Sequence, residues 1–191
     1  MIATAFRLFI WLTIVTGVVY PAAVTVLGRA LFASRAEGSI VARGGKSVGS
    51  ELLAQKFADA KYFHPRPSAG DTPYATVPSA ASNLGPTSEA LKKAIEERRS
   101  ELTKQFSPAT GAALPSDLLT TSGSGLDPHI SPEAARLQIA SVATARGFDA
   151  AKAEQLAHLV DSMVEPPQFG FLGEPRVNVL RLNLALDEQF K

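Results

Sequence analysis

The chain has 191 residues, 46% of them hydrophobic and 19% charged, with 19 Lys+Arg against 18 Asp+Glu and no cysteine. That apolar content excludes a wholly disordered chain and bounds the molecule to one domain with an appendage. The lack of cysteine excludes disulfides, thiolate zinc sites, iron-sulfur clusters and a thiol nucleophile together.

The N-terminal flank, residues 1–7, ends at Arg7, and from Leu8 to Gly28 no residue is charged. A helix of that length rises about 31 Å, close to the ~30 Å hydrocarbon thickness of a bilayer, so residues 8–28 are predicted to be a single transmembrane helix. Trp11 suits an interface and Pro21 is expected to bend the helix. A cleaved signal peptide would have an apolar core of about 7–15 residues and a small-x-small site, and this run is longer and lacks Ala-x-Ala. Arg7 precedes the run, which leaves 18 basic residues against 18 acidic ones in residues 29–191. No concentrated basic face remains for phosphates, so nucleic-acid binding is not expected. Arg29, Arg35, Arg43 and Lys46 after the run outnumber Arg7 before it, which taken alone places the following domain in the cytoplasm.

Residues 38–49 read as a β-hairpin around Gly44-Gly45. The Gly45-Lys46-Ser47 stretch resembles a phosphate loop, but the required first glycine falls at Ile40, so the spacing fails. Residues 51–57 have helical spacing of Leu52, Leu53 and Phe57. Residues 61–88 contain Pro65, Pro67, Pro73, Pro78 and Pro86, which exclude a helix interior or a central strand. The aromatics Tyr62, Phe63 and Tyr74 in this segment predict an ordered, irregular stretch with its rings tucked against the core. An amphipathic helix over 87–106 presents a charged, solvated face. A short strand is expected over 117–121, then a turn-rich run to Pro132. Ser131-Pro132-Glu133 starts a helix that stops at Gly147, and Asp149 caps the next one. The alternation of Leu180, Leu182, Leu184 and Leu186 with polar or small residues predicts a terminal strand over 179–187. The fold class is therefore α+β, an N-terminal membrane helix followed by a mixed extramembrane domain over 29–191.

Ser124, Asp127 and His129 offer the residue types of a nucleophilic triad, and a membrane-anchored hydrolase is the alternative reading. Their closeness in sequence argues against it, because triad members normally come from separate elements. The Gly-x-Ser-x-Gly elbow also fails, since position 122 is serine. Ser122 and Ser124 suit the capping of loose amides instead. His64, His129 and His158 have no ligand spacing, so no metal site is expected. The leucine stripe around His158 makes it a boundary residue of a helix.

Several motifs together carry a family resemblance: Gly-Ser-Glu-Leu-Leu-Ala-Gln-Lys-Phe at 49–57, Tyr-Phe-His-Pro-Arg-Pro-Ser at 62–68, Ser-Asn-Leu-Gly-Pro at 82–86, Ser-Gly-Ser-Gly-Leu-Asp-Pro-His-Ile-Ser-Pro at 122–132, and Leu-Gly-Glu-Pro-Arg-Val-Asn-Val-Leu at 172–180 with Leu-Asn-Leu-Ala-Leu-Asp at 182–187. In this order, over nearly the whole chain, they closely resemble the KdpC family, whose members belong to the bacterial Kdp potassium-transporting P-type ATPase complex. The resemblance implies a non-hydrolysing accessory subunit of an ATP-driven potassium importer in the inner membrane. Its implied partners are a channel-like potassium-selecting subunit, a P-type ATPase subunit, a small single-span subunit and the lipid bilayer.

Two implied roles compete. One is a chaperone that raises the ATP affinity of the ATPase subunit, with ATP as a shared ligand. The other follows from a family topology that places the soluble domain outside the cytoplasm, away from ATP. The nucleotide candidates are Ser82, Asn83 and Gly85. Here Ser79-Ala80-Ala81-Ser82 stands where the family often has Ser-Gly-Gly-Ser, and the added methyl groups restrict approach of a phosphate to the backbone. The structural or subunit-interface candidates are Arg66, Pro67, Asp127, Pro128, His129, Glu174 and Asn178.

Overall fold

A computed structural model describes residues 1–70, 72–77, 79–106 and 113–191. The chain divides into two compact units, residues 1–50 and 51–191.

The first unit is dominated by one apolar helix, Ile2–Leu31, 30 residues long. It consists of α1 (Ile2–Ile14), a five-residue π segment (Val15–Val19) and α2 (Tyr20–Leu31), and none of its residues is buried. An apolar helix bare on all sides fits lipid as its solvent. The π segment lies just before Pro21. Proline has no amide hydrogen and its ring crowds the carbonyl four residues back, here Gly17, inside the widened turn. Thr13, Thr16 and Thr25 turn their hydroxyls back onto the carbonyls of Phe9, Leu12 and Pro21, so these polar groups need no water.

A short α3 (Ala33–Ala36) leads to β1 (Ile40–Arg43) and β2 (Lys46–Ser50), the expected hairpin. Arg43 pairs with Lys46 across Gly44 and Gly45, whose φ values of 58° and 76° suit a tight two-residue hairpin turn. The register shifts between Val41 and Ala42, a bulge in the ladder.

The second unit packs α4 (Glu89–Phe106), α5 (Ser116–Leu119), α6 (Pro132–Ala145), α7 (Ala150–Ser162) and α8 (Val179–Gln189) with a small antiparallel pair, β3 (His129–Ile130) and β4 (Val177–Asn178). The mixed class is as expected. Its core joins Phe63, Leu118, Ile130, Ala134, Val142, Leu156, Val160, Val177, Leu182 and Leu186. The start signals of α6 and α7 work as read: Ser131 Oγ accepts from Ala134 N, and Asp149 Oδ1 accepts from Lys152 N. Gly147, at φ 65°, follows the last residues of α6.

Three sequence expectations are corrected. The segment 179–187 is helical, not a strand, and Val179, Leu180, Leu182, Asn183 and Leu186 form its buried face. That set follows a helical stripe, i, i+1, i+3, i+4 and i+7, of which one member is polar. Counting Asn183 as solvent-facing made the leucines look alternating. Asn178 caps this helix by accepting from Arg181 N.

The stretch 117–121 is not a strand either, since α5 begins directly after Pro115 and buries the consecutive Leu118 and Leu119. Residues 51–57 form a turn, a bend and an irregular stretch rather than a helix. Seven residues nucleate a helix poorly, and the Ala54 amide donates instead to Leu126 O at 2.8 Å.

The proline-rich segment is ordered by two buried amide side chains. Asn183 accepts from Phe63 N at 2.8 Å and donates to Phe63 O at 2.9 Å. Gln138 accepts from His64 N at 2.8 Å and donates to His64 O at 3.1 Å. Phe63 and His64, just before Pro65, belong to no regular ladder, and the side-chain amides of Asn183 in α8 and Gln138 in α6 supply their backbone bonds. The Phe63 ring is thereby held fully buried in the core. Next to it, Tyr62 OH donates to Asp187, which also receives Arg146 at 2.7 Å.

Candidate functional site

The turn-rich run 120–131 closes on itself through short-range bonds. Asp127 Oδ1 accepts from His129 N at 3.0 Å, which shapes the Asp-Pro turn. Ser124 Oγ accepts from Leu126 N at 3.1 Å, the capping role expected of it. Ser122 departs from expectation, because its hydroxyl is buried without a hydrogen-bond partner among the described residues.

This run then docks against two other motif segments. Ser79 Oγ donates to Ser124 O at 2.9 Å. Gly125, at φ 70°, lies so close to the 79–82 stretch that a Cβ there would stand 2.6 Å from Ala80 O. Arg66 reaches from the proline-rich segment to Asp127 at 3.1 Å and to Thr120 Oγ1 at 3.5 Å.

A cleft of about 280 Å³ opens where these segments meet the β3–β4 pair, lined by Arg66, Asp117, Asp127, His129, Glu174 and Arg176 among others. Four of the seven interface candidates therefore share one cleft. Asn178 does not line it but pairs with the lining residue His129 across β3–β4, and its side-chain amide donates to Glu51 O at 2.8 Å. Pro128 supports the same corner through its carbonyl, which accepts from Val179 N at 3.0 Å. Pro67 lies apart, lining a second cavity with His64, Tyr74 and Gln138.

Asp117, Ser131 and Arg176 were not named as site residues from sequence, although Ser131 was read as a helix cap. Asp117 receives both Ser131 N at 2.7 Å and Ser131 Oγ at 3.0 Å, so it braces the residue that caps α6. The cap was visible in Ser131-Pro132-Glu133, but nothing in a linear reading ties it to a carboxylate 14 positions earlier. Arg176 bonds Glu165 at 3.1 Å.

Electrostatically the cleft is mixed. Burial pushes the Asp127 carboxyl up, but hydrogen bonds from the His129 side chain and backbone and from Arg66 outweigh it and hold the group below its usual range. Arg66 Nε is buried and makes no hydrogen bond among the described residues.

Among the described residues the cleft shows no assembled nucleophile. Ser131 Oγ is engaged by Asp117 and Ala134 N. His129 faces Asp127, with Nδ1 3.5 Å from Oδ1, and no hydrogen bond joins Ser124 to His129 among the described residues. A triad needs its histidine between serine and carboxylate, and only the carboxylate arm is present. What the arrangement does provide is an ordered corner with a charged rim, which suits recognition.

Ser82, Asn83 and Gly85 are exposed and lie outside the cleft. Asn83 adopts φ 52° and Gly85 O accepts from Ser88 N, so the stretch is a turn leading into α4. His158 is exposed on α7. Among the described residues no group of three or more His, Cys, Asp or Glu could hold a metal ion.

Residues 2–188 match the family model described as KdpC: K+-transporting ATPase, c chain. The chain is 51% identical to the potassium-transporting ATPase KdpC subunit of Rhodospirillum rubrum over 186 residues, covering 97% of this chain and 94% of that protein. It is 50% identical to the subunits of the same description from Variovorax paradoxus, at 98% and 95% coverage, and from Myxococcus xanthus, at 98% and 87%. With the motifs that build the cleft lying inside that match, the chain belongs to the KdpC family of K+-transporting ATPase components.

Proposed function

We propose that the chain is an accessory, non-hydrolysing subunit of an ATP-driven potassium import complex. In this reading α1 and α2 anchor it in the inner membrane, and the unit from Glu51 onward stabilises the assembly from outside the cytoplasm. The observation that carries the reading is the family match over residues 2–188, which takes in the apolar helix and nearly all of the following domain. The partners are the channel-like, ATPase and small single-span subunits of the same complex. The engagement of Ser124 Oγ by Leu126 N and of His129 by Asp127 supports a recognition role over hydrolysis.

The rival role within the complex is to raise the nucleotide affinity of the ATPase subunit, with ATP as a shared ligand near Ser82, Asn83 and Gly85. That role requires the domain to face the cytoplasm. The two are separated with one engineered thiol at Ser116, an exposed position in a chain without cysteine. A membrane-impermeant thiol reagent is expected to label Ser116→Cys in intact spheroplasts. Labelling only after lysis overturns the outside placement and returns the nucleotide role.

A further inference from the structure

Between α7 and β4 the chain makes a small hairpin. Glu165 and Arg176 exchange both backbone bonds, at 2.8 and 3.0 Å, and Gln168 and Leu172 exchange two more, each of 2.9 Å. The turn is tightened by Gly170 N donating to Pro167 O. At its base, Glu165 receives Arg176 at 3.1 Å and Arg181 at 3.3 Å, and Arg181 also reaches Glu51 at 3.4 Å. The hairpin is thus a braced projection.

Its tip is apolar and uncovered. Phe169 is 85% exposed and Phe171 75%, with Leu172 half exposed beside them. Phe169 also stands at φ 54°, a backbone region that bulky side chains rarely adopt. Asparagine or glycine would occupy that position with less strain. So exposed a ring contributes little to the core, and its strained backbone marks the tip for a contact outside the chain.

The charges around the tip favour one kind of occupant. From Pro166 to Pro175 there is no basic residue, and the one charge is Glu174, which is exposed and forms no ion pair among the described residues. Insertion into an anionic lipid surface is favoured by Lys and Arg beside the apolar residues and opposed by a carboxylate. Tyrosine and tryptophan, the usual interfacial aromatics, are absent from the tip. A protein socket with apolar walls and a basic rim matches both features.

We propose that the Phe169–Leu172 tip plugs into an apolar pocket with a basic rim on another subunit of the complex, and that Glu174 pairs with that rim. The proposal rests on the subunit reading above. Phe169 and Phe171 act as the buried aromatic anchors of the contact.

The test titrates the full-length chain in detergent into a complex purified from a strain lacking it. The wild type is compared with Phe169→Asn/Phe171→Ser, in which asparagine suits the positive φ. The double variant should keep the wild-type melting temperature and bind about 30-fold or more weakly. Glu174→Lys should also weaken binding, with a loss that shrinks as salt is raised. Binding by the double variant within about 3-fold of wild type overturns the proposal. So does strong quenching of a Phe171→Trp probe by brominated phospholipid in the reconstituted complex, which identifies lipid as the occupant. If the wild type itself does not bind, the subunit reading falls and the socket with it; a wild type that binds alongside an unaffected double variant removes the socket alone.

Discussion

Asn183 holds Phe63 by both of its backbone groups, and the two residues lie 120 positions apart in sequence. This contact converts a proline-rich stretch with no regular structure into part of the core. Removing the side-chain amide strands a buried N–H and a buried C=O, each costing about 1–3 kcal/mol. Asn183→Ala is therefore expected to lose roughly 2–4 kcal/mol, measured by chemical unfolding of the full chain in detergent. Phe63→Ala should lose about 3–5 kcal/mol through the cavity it leaves. A loss below about 1 kcal/mol in either variant contradicts this account of the segment's order.

Acid should destabilise the extramembrane unit in two windows. Burial lowers the His64 pKa below its ordinary 6.5. The unfolded chain therefore takes up a proton first, and stability falls as pH drops below that value. Asp127 is also held below its ordinary 3.8, so its contribution is complete above that value and is lost as pH falls through the lower, folded-state pKa. His64→Gln should flatten the stability slope just below pH 6.5 while leaving the lower window intact, and Asp127→Asn should do the reverse. Identical slopes in the wild type and in both variants would refute the assignment.

Gly125 allows the turn-rich run to touch the 79–82 stretch. Alanine there would meet a backbone oxygen, Ala80 O, at 2.6 Å, and would also adopt φ 70°. The dihedral alone costs about 1–2 kcal/mol. Gly125→Ala should lower stability by at least that much and expose the 79–88 stretch to limited proteolysis. An unchanged digestion pattern is the contrary result.

Ser124→Ala separates the proposed role from hydrolysis. The hydroxyl caps Leu126 N in an exposed turn, so its loss should cost about 1 kcal/mol or less. Growth at limiting potassium should be unchanged. Loss of that growth with the chain still folded and present in the membrane would revive the nucleophile.

Local signals were legible where one short segment decides the structure. The apolar run, the Gly44-Gly45 turn and the Ser131 and Asp149 caps all appear in the sequence because their physics is confined to a few residues. The terminal helix was misread because Asn183 is polar yet buried, and its partner Phe63 is visible only in three dimensions. The short helix at Ser116–Leu119 was missed for a different reason: two adjacent buried leucines in a four-residue element are too few to display a period. Of the site, Arg66, Asp127, His129 and Glu174 were named through the family resemblance, and the structure gathers them in one cleft. Asp117 was hidden because its role is to brace another residue's cap. The Phe169–Phe171 tip is apolar in a segment that periodicity does not describe, and its exposure emerges only once the hairpin is built.

The central claim is that this chain works as a bound subunit of a potassium-transporting complex. The most direct measurement is affinity capture of the tagged full-length chain from detergent-solubilised membranes of cells expressing the whole complex, with potassium-stimulated ATP hydrolysis assayed in the eluate. The account predicts that the larger subunits and the activity elute with the tag. Elution of the chain alone, with the activity left in the unbound fraction, would contradict it.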